Sequence, residues 1–362
     1  MTGKEYLDKL KLISGTSFKY LKLEDLPEYR RKQLGIEGKL FEKYKTIFED
    51  ENYIDDYFQN IASRFIASLA DEVQKKLKNV CIGVLPSYKV NASAILNIQC
   101  DDYVIVLHSQ LLAVISQFCE IQWFIYKDFS DGKMNEFIYK KLEDLVNCYN
   151  YPNYAIKLKI LPAELTKDEF YLLYNQMTII EMFVIAHELA HIYLGHCQNA
   201  HTRKINLDND NSSVEILSHN KKKEFEADLQ AIKWIVEVIR KKENNMYSFY
   251  KQNEIFCLEI FQLFHIIEVS NGLYDDFITE AKNMSREESV PEIMCRLLKV
   301  AINVDRIVAG KDNSERTHPL AIERLYYIYT NIIELFNDNI KEIALHTVMD
   351  AMYFESYDVR NK

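Results

Sequence analysis

The sequence predicts an α+β fold, mostly helical with a small sheet, and three observations carry that expectation. Only nine Gly and six Pro interrupt 362 residues that are 48% hydrophobic and 27% charged, a balance that favours long helices around a buried core. Between residues 80 and 107, three short β-branched runs are separated by turn residues, a spacing that suits about three strands. Two later segments, from Lys167 towards Gly195 and over Lys222–Lys241, carry apolar residues at helical spacing.

Taken in order, residues from about 38 to 78 form an amphipathic helical region, with Tyr53, Ile54, Tyr57, Phe58, Ile61, Phe65, Ile66 and Leu69 recurring at helical intervals. Val80–Leu85, Ala92–Ile98 and Tyr103–Leu107 are the three strand runs. Ser109-Gln110-Leu111-Leu112 then opens a helix of core character. An aromatic-rich stretch broken by Pro152 and Pro162 leads to the helix from Lys167, and the polar segment His196–Asn220 reads as an exposed loop before the next helix. This organisation divides the chain into an N-terminal helical region, 1–78, and a main domain, 79–362, with an insert at about 117–177.

Composition also excludes some functions. A net charge of −10 gives no one-signed basic field for phosphate backbones, so no nucleic-acid partner is expected. Seven scattered cysteines without a CxxC pair read as free thiols of a reducing compartment. The N-terminus lacks the apolar core of a secretion signal, and the apolar stretches are too short or too interrupted to cross a bilayer. A cytoplasmic protein without a membrane span is the expectation.

The chemistry-bearing residues lie on the two later helices. In IIEMFVIAHELAHIYLGH, His187 and His191 stand four apart, so their imidazoles share one helix face and can grip one ion, for which tetrahedral Zn2+ is the natural candidate. Glu188 adjoins the first histidine, where its carboxylate can reach a metal-bound water and act as general base. A catalytic zinc keeps three protein ligands and an open position, and Glu224 of Glu224-Phe225-Glu226-Ala227-Asp228 supplies the third. Asp228, four residues on, is placed to accept a hydrogen bond from a ligand histidine, while Glu226 points elsewhere. His196 lies beyond the helix end at Gly195 and is expected to do no more than support a ligand.

With these motifs the chain resembles the gluzincin zinc metallopeptidases, in particular the family of the CAAX-prenyl proteases and HtpX-like heat-shock proteases, and it shows some similarity to the phage-exclusion protease Lit. HELAH and EFEAD resemble that family's zinc helices, and Asn91-Ala92-Ser93-Ala94 resembles its substrate-binding edge strand. Thr317-His318-Pro319 with Arg324 resembles the segment in which a histidine and an arginine approach the substrate carbonyl's developing negative charge. The resemblance implies a minigluzincin-like domain and a zinc-dependent endopeptidase that cuts an intracellular protein or peptide with narrow specificity, in a regulatory or phage-defence setting. Transmembrane helices of the prenyl and heat-shock proteases have no counterpart here. The rival reading is a catalytically silent zinc-binding scaffold, against which Glu188 argues, because a closed structural site needs no such carboxylate.

Overall fold

The computed structural model describes residues 2–14, 53–85, 91–97, 102–112, 114–116, 118–119, 167–199, 201–206, 213–218, 220–241, 301–311, 319–332 and 334. Its centre is a three-stranded sheet of β1 (Val80–Leu85), β2 (Ala92–Asn97) and β3 (Asp102–His108), in the order β1-β3-β2. β1 runs parallel to β3, with Val80 opposite Tyr103, and β2 runs antiparallel to β3, with Ala92 opposite Leu107. β3 occupies the centre because it is apolar on both faces, as strands covered on both sides must be. Val104 and Val106 join one buried cluster, and Ile105 and Leu107 the other.

The first face is covered by α1 (Gly3–Ser14), whose Leu7 and Leu10 pack on Leu85, Ile95, Val104 and Val106. Thr2 and Glu5 close the start of this helix reciprocally: Glu5 N donates to Thr2 Oγ1 at 3.3 Å and Thr2 N to Glu5 Oε2 at 2.7 Å, a capping box. Gly83 permits the close approach of α1, since a Cβ there would meet Leu7 Cδ2 at 2.1 Å.

The outer edge of β1 is sealed by α2 (Tyr53–Ile66). Val84 N donates to Asp55 Oδ1 at 2.9 Å and Ile82 N to Gln59 Oε1 at 2.8 Å, so two edge amides are satisfied by side chains instead of another strand. α3 (Asp71–Leu77) follows, with Val73 and Leu77 buried. α2 and α3 fall inside the helical region expected between 38 and 78.

Against the second face lies α4 (Lys167–Tyr193), together with the helical residues described between 109 and 119. α4 buries Ile179, Ile180, Met182, Phe183, Ile185, Ala186, Leu189, Ala190 and Ile192, which is why its sequence is apolar nearly all round. It ends where Gly195, at φ 73°, lets the chain turn back, with Leu194 N on Ala190 O and Gly195 N on Ile192 O. The expected exposed loop after it is instead a short 3-10 turn, His196–Asn199, followed by an antiparallel hairpin of β4 (His201–Asn206) and β5 (Ser213–Ser218). β5 and the 3-10 turn both lie against β2. His196 and Cys197 are buried rather than exposed.

α5 (Lys221–Lys241) packs along α4, and α6 (Ala321–Ile332) along α5, where Tyr327 stacks on Phe225 at 4.7 Å. Asn220 caps α5 by accepting Lys223 N at 2.9 Å, and Glu323 reaches back to Leu320 N at 2.8 Å to close the start of α6. No helix among the described residues is long and apolar enough to cross a membrane. Among the described residues, Cys81 and Cys197 are free thiols. Of the expected insert, residues 167–177 are the opening turns of α4, and most of the remainder lies outside the described residues.

Candidate metal centre

The last two turns of α4 face the first turn of α5, and the residues that meet there are His187, His191 and Glu224. The four-residue spacing brings the two imidazoles together on one face, their ring centroids 4.6 Å apart and nearly perpendicular. His187 Nε2 stands 3.1 Å from His191 Nε2. Glu224 Oε2 is 3.4 Å from the first of these nitrogens, and Oε1 is 3.5 Å from the second. All three residues are buried, and among the described residues they form the one cluster of His, Cys, Asp or Glu able to hold a metal ion.

Each imidazole is held from behind by a different partner. His187 Nδ1 lies 2.8 Å from Asp228 Oδ1. Asp228 in turn accepts from Arg324, Nε to Oδ2 at 2.6 Å and Nη2 to Oδ1 at 2.5 Å. This two-pronged pair is fully inside the protein on the Asp228 side, the setting in which such geometry matters most. His191 Nδ1 instead lies 3.0 Å from His196 Nδ1, and His196 Nε2 lies 3.1 Å from Glu226 Oε2.

The charge state of the centre follows from these contacts. Burial works against the charged form of Glu224, but the imidazoles of His191 and His187 overcome it and hold the carboxyl well below its ordinary range. Asp228 is lowered in the same way, against burial, by Arg324 and His187. Burial opposes a proton on His187 too, yet Asp228 and then Glu224 raise it to about 10. His196 moves the other way, down to about 3, through burial first and then the nearby His191 and Lys223. The pocket therefore favours positive charge between His187, Glu224 and Asp228, which is the electrostatic requirement of a cation site.

Glu188 is buried beside His187 and is not one of the three clustered donors. Its carboxylate lies near Cys197, whose thiol is pushed up to about 12 by burial first and by Glu188 second. Asn91 O accepts His108 N at 3.1 Å, and Ala92, Ser93 and Ala94 pair with Leu107, Val106 and Ile105. This puts the expected substrate strand at the sheet edge, and among the described residues no further strand pairs with it. Arg324 reaches the centre through Asp228, whereas Thr317 and His318 lie outside the described residues.

Two participants were not foreseen from sequence. Glu226 does not point away from the centre but meets His196, and Lys223 Nζ donates to His196 O at 3.2 Å. The signal for them is the Gly195-His196 pair: a glycine that ends a helix in the left-handed conformation turns the next side chain back towards the last turn.

The family model of Peptidase U49 matches residues 144–344, more than half of the chain, and the matched span contains both helices of the centre and Arg324. The chain belongs to the Peptidase U49 family. Membership makes it a peptidase, and the buried His-His-Glu cluster on U49 residues gives that peptidase a place to hold a metal ion. No curated protein and no solved structure matches the chain.

Proposed function

We propose that this peptidase is a zinc-dependent endopeptidase of the gluzincin type that hydrolyses peptide bonds of an intracellular protein substrate with narrow specificity in the cytoplasm. One observation carries the reading. His187 Nε2 and His191 Nε2 stand 3.1 Å apart, and each has a Glu224 oxygen nearby, Oε2 at 3.4 Å from the first and Oε1 at 3.5 Å from the second. Ligands at zinc's usual ~2.0–2.1 Å in tetrahedral directions stand about 3.3 Å apart, so these separations suit that ion with three protein ligands. Two imidazoles and a carboxylate are also a donor set that catalytic zinc uses. When bound, zinc supplies Lewis acidity to the scissile carbonyl and a water whose pKa falls towards ~7.

The chain's own residues divide the remaining work. Glu188 takes the proton of the attacking water and returns it to the leaving amine. Asp228 holds the His187 ring through Nδ1 and so keeps Nε2 directed at the ion. His318 and Arg324 face the negative charge that develops on the carbonyl oxygen, and an extended substrate lies along Asn91–Ala94 as an added strand. In this reading residues 1–78 are an N-terminal helical region, 79–362 the metallopeptidase domain, and 117–177 an insert controlling access.

Purified protein is expected to carry about one zinc per chain and to cut casein slowly, with activity lost to 1,10-phenanthroline and regained with zinc. Glu188→Gln should keep the zinc while turnover falls by on the order of 10²–10⁴, the usual share of a general base. Undiminished cutting by that variant, or zinc lost with the substitution, removes the role given to Glu188. His318→Phe should likewise keep zinc and lower turnover by roughly 10²–10³, as loss of one oxyanion donor does. An unchanged rate would reduce the Thr317-His318-Pro319 segment to scaffold.

A further inference from the structure

We propose that His196 is a positioning residue for the metal, acting through His191 as the middle member of a relay His191–His196–Glu226; the inference rests on the zinc reading of the centre. The geometry is explicit at each step. His191 presents Nε2 to His187 and Glu224, and its other nitrogen, Nδ1, stands 3.0 Å from Nδ1 of His196. The far nitrogen of His196, Nε2, stands 3.1 Å from Glu226 Oε2.

Hydrogen-bonding rules leave one arrangement of protons. A histidine that gives Nε2 to a metal carries its proton on Nδ1 and can only donate there. The Nδ1 of His196 must then accept, which puts the His196 proton on Nε2, where a carboxylate oxygen is waiting to receive it. In this arrangement each of the two contacts has one donor and one acceptor, and the carboxylate at the end polarises the whole chain towards the metal. Carboxylate support of a ligand histidine usually acts directly; here it acts through a second imidazole.

The fold fixes His196 more firmly than a passing contact requires. His196 is 5% exposed, held between the end of α4 and the start of α5. Gly195 turns it back onto His191, and Lys223 binds its carbonyl oxygen at 3.2 Å. Lys223, Glu224 and Glu226 thus use one turn of α5 to place both the third metal donor and two contacts to His196. His191 and its ring plane are thereby tied to the helix that carries Glu224.

Zinc affinity measured against a chromophoric chelator, and imidazole nitrogen NMR of the zinc-loaded wild type, test the relay directly. His196→Ala should bind zinc about 10–100-fold more weakly at unchanged stoichiometry, the usual effect of losing a ligand's hydrogen-bond partner. His196→Gln, whose amide can both accept from His191 and donate to Glu226, should recover most of that loss. Glu226→Ala, at a side chain 40% exposed, should give a smaller weakening without disturbing the core. The spectra should show His191 protonated on Nδ1 and His196 on Nε2. They need no substitution, so they decide the matter even if His196→Ala fails to fold. A proton on Nδ1 of His196, or wild-type affinity in His196→Ala, overturns the relay alone. Absence of zinc binding by the wild type overturns the relay together with the proposed function.

Discussion

The two imidazoles of the centre are chemically alike, four residues apart on one helix, and yet they stand in opposite surroundings. His187 is backed by a charged pair, Asp228 with Arg324, while His191 is backed by a neutral imidazole whose carboxylate lies one ring further out. Burial disfavours a charged imidazole on both sides, and the partners decide whether it prevails. Asp228 and Glu224 overcome it at His187 and raise the ring to about 10, whereas at His196 burial acts first and His191 and Lys223 add to it, so the ring falls to about 3. One side of the centre supplies charge, and the other supplies direction.

The contrast is broken most completely by removing the residue that serves both sides. Glu224 has one oxygen towards each imidazole, so Glu224→Ala leaves two donors and an open pocket. The expected outcome is protein without stoichiometric zinc after dialysis, read by elemental analysis. Zinc retained in Glu224→Ala but lost in Glu226→Ala would mean that the register of α5 against the ion is different.

The charged side is sharpened next, by Asp228→Ala. Zinc affinity should fall by about 10–100-fold, because the His187 ring loses its anchor. Stability should also fall, by about 3–5 kcal/mol, because the Arg324 guanidinium keeps its burial and loses its carboxylate. The double variant Asp228→Ala, Arg324→Met should recover much of the stability and none of the affinity, which separates the two functions of Asp228. Urea unfolding and zinc titration on the same samples read them independently. Equal recovery of both would mean that Asp228 acts on the metal only by holding the fold.

The difference between the sides also explains what was legible in the sequence. His187, His191, Glu224 and Asp228 are separated by four residues within each helix, and that interval alone states which side chains share a face. The three strands fall within a residue of their β-branched runs, because Val, Ile and Leu buried on both faces write a continuous signal. His196 and Glu226 carry no such interval, since their meeting depends on a glycine reversal and on two helices packing. The hairpin was hidden as well: in β5 only Glu215 separates Val214 from Ile216 before Leu217 ends the alternation, directly after a run of Asn, Asp and Ser that reads as loop. The order β1-β3-β2 joins strands through non-local pairing, which no local pattern specifies.

A third buried acid, in the middle of α4, extends the comparison to a carboxyl with a different neighbour. Glu181 is 8% exposed, and burial raises its pKa to about 8, only partly offset by a hydrogen bond from Tyr57 on α2. Glu224, deeper still, is lowered because it faces imidazoles, so depth of burial fixes neither sign. The consequence for stability can be worked out. Between the ordinary carboxyl value of 4.5 and about 8, folded Glu181 keeps its proton and the unfolded chain has lost it. The folded state then binds more protons, so stability falls as pH rises through that window, by at most about 1.4 kcal/mol per pH unit. Below 4.5 both states are protonated and the contribution is constant. Glu181→Gln, which keeps the shape without the ionisation, should flatten the pH dependence of urea unfolding between these limits and leave zinc affinity within a few-fold of wild type. A slope unchanged by the substitution would assign the proton to another group and return Glu181 to the ionised state of Glu224.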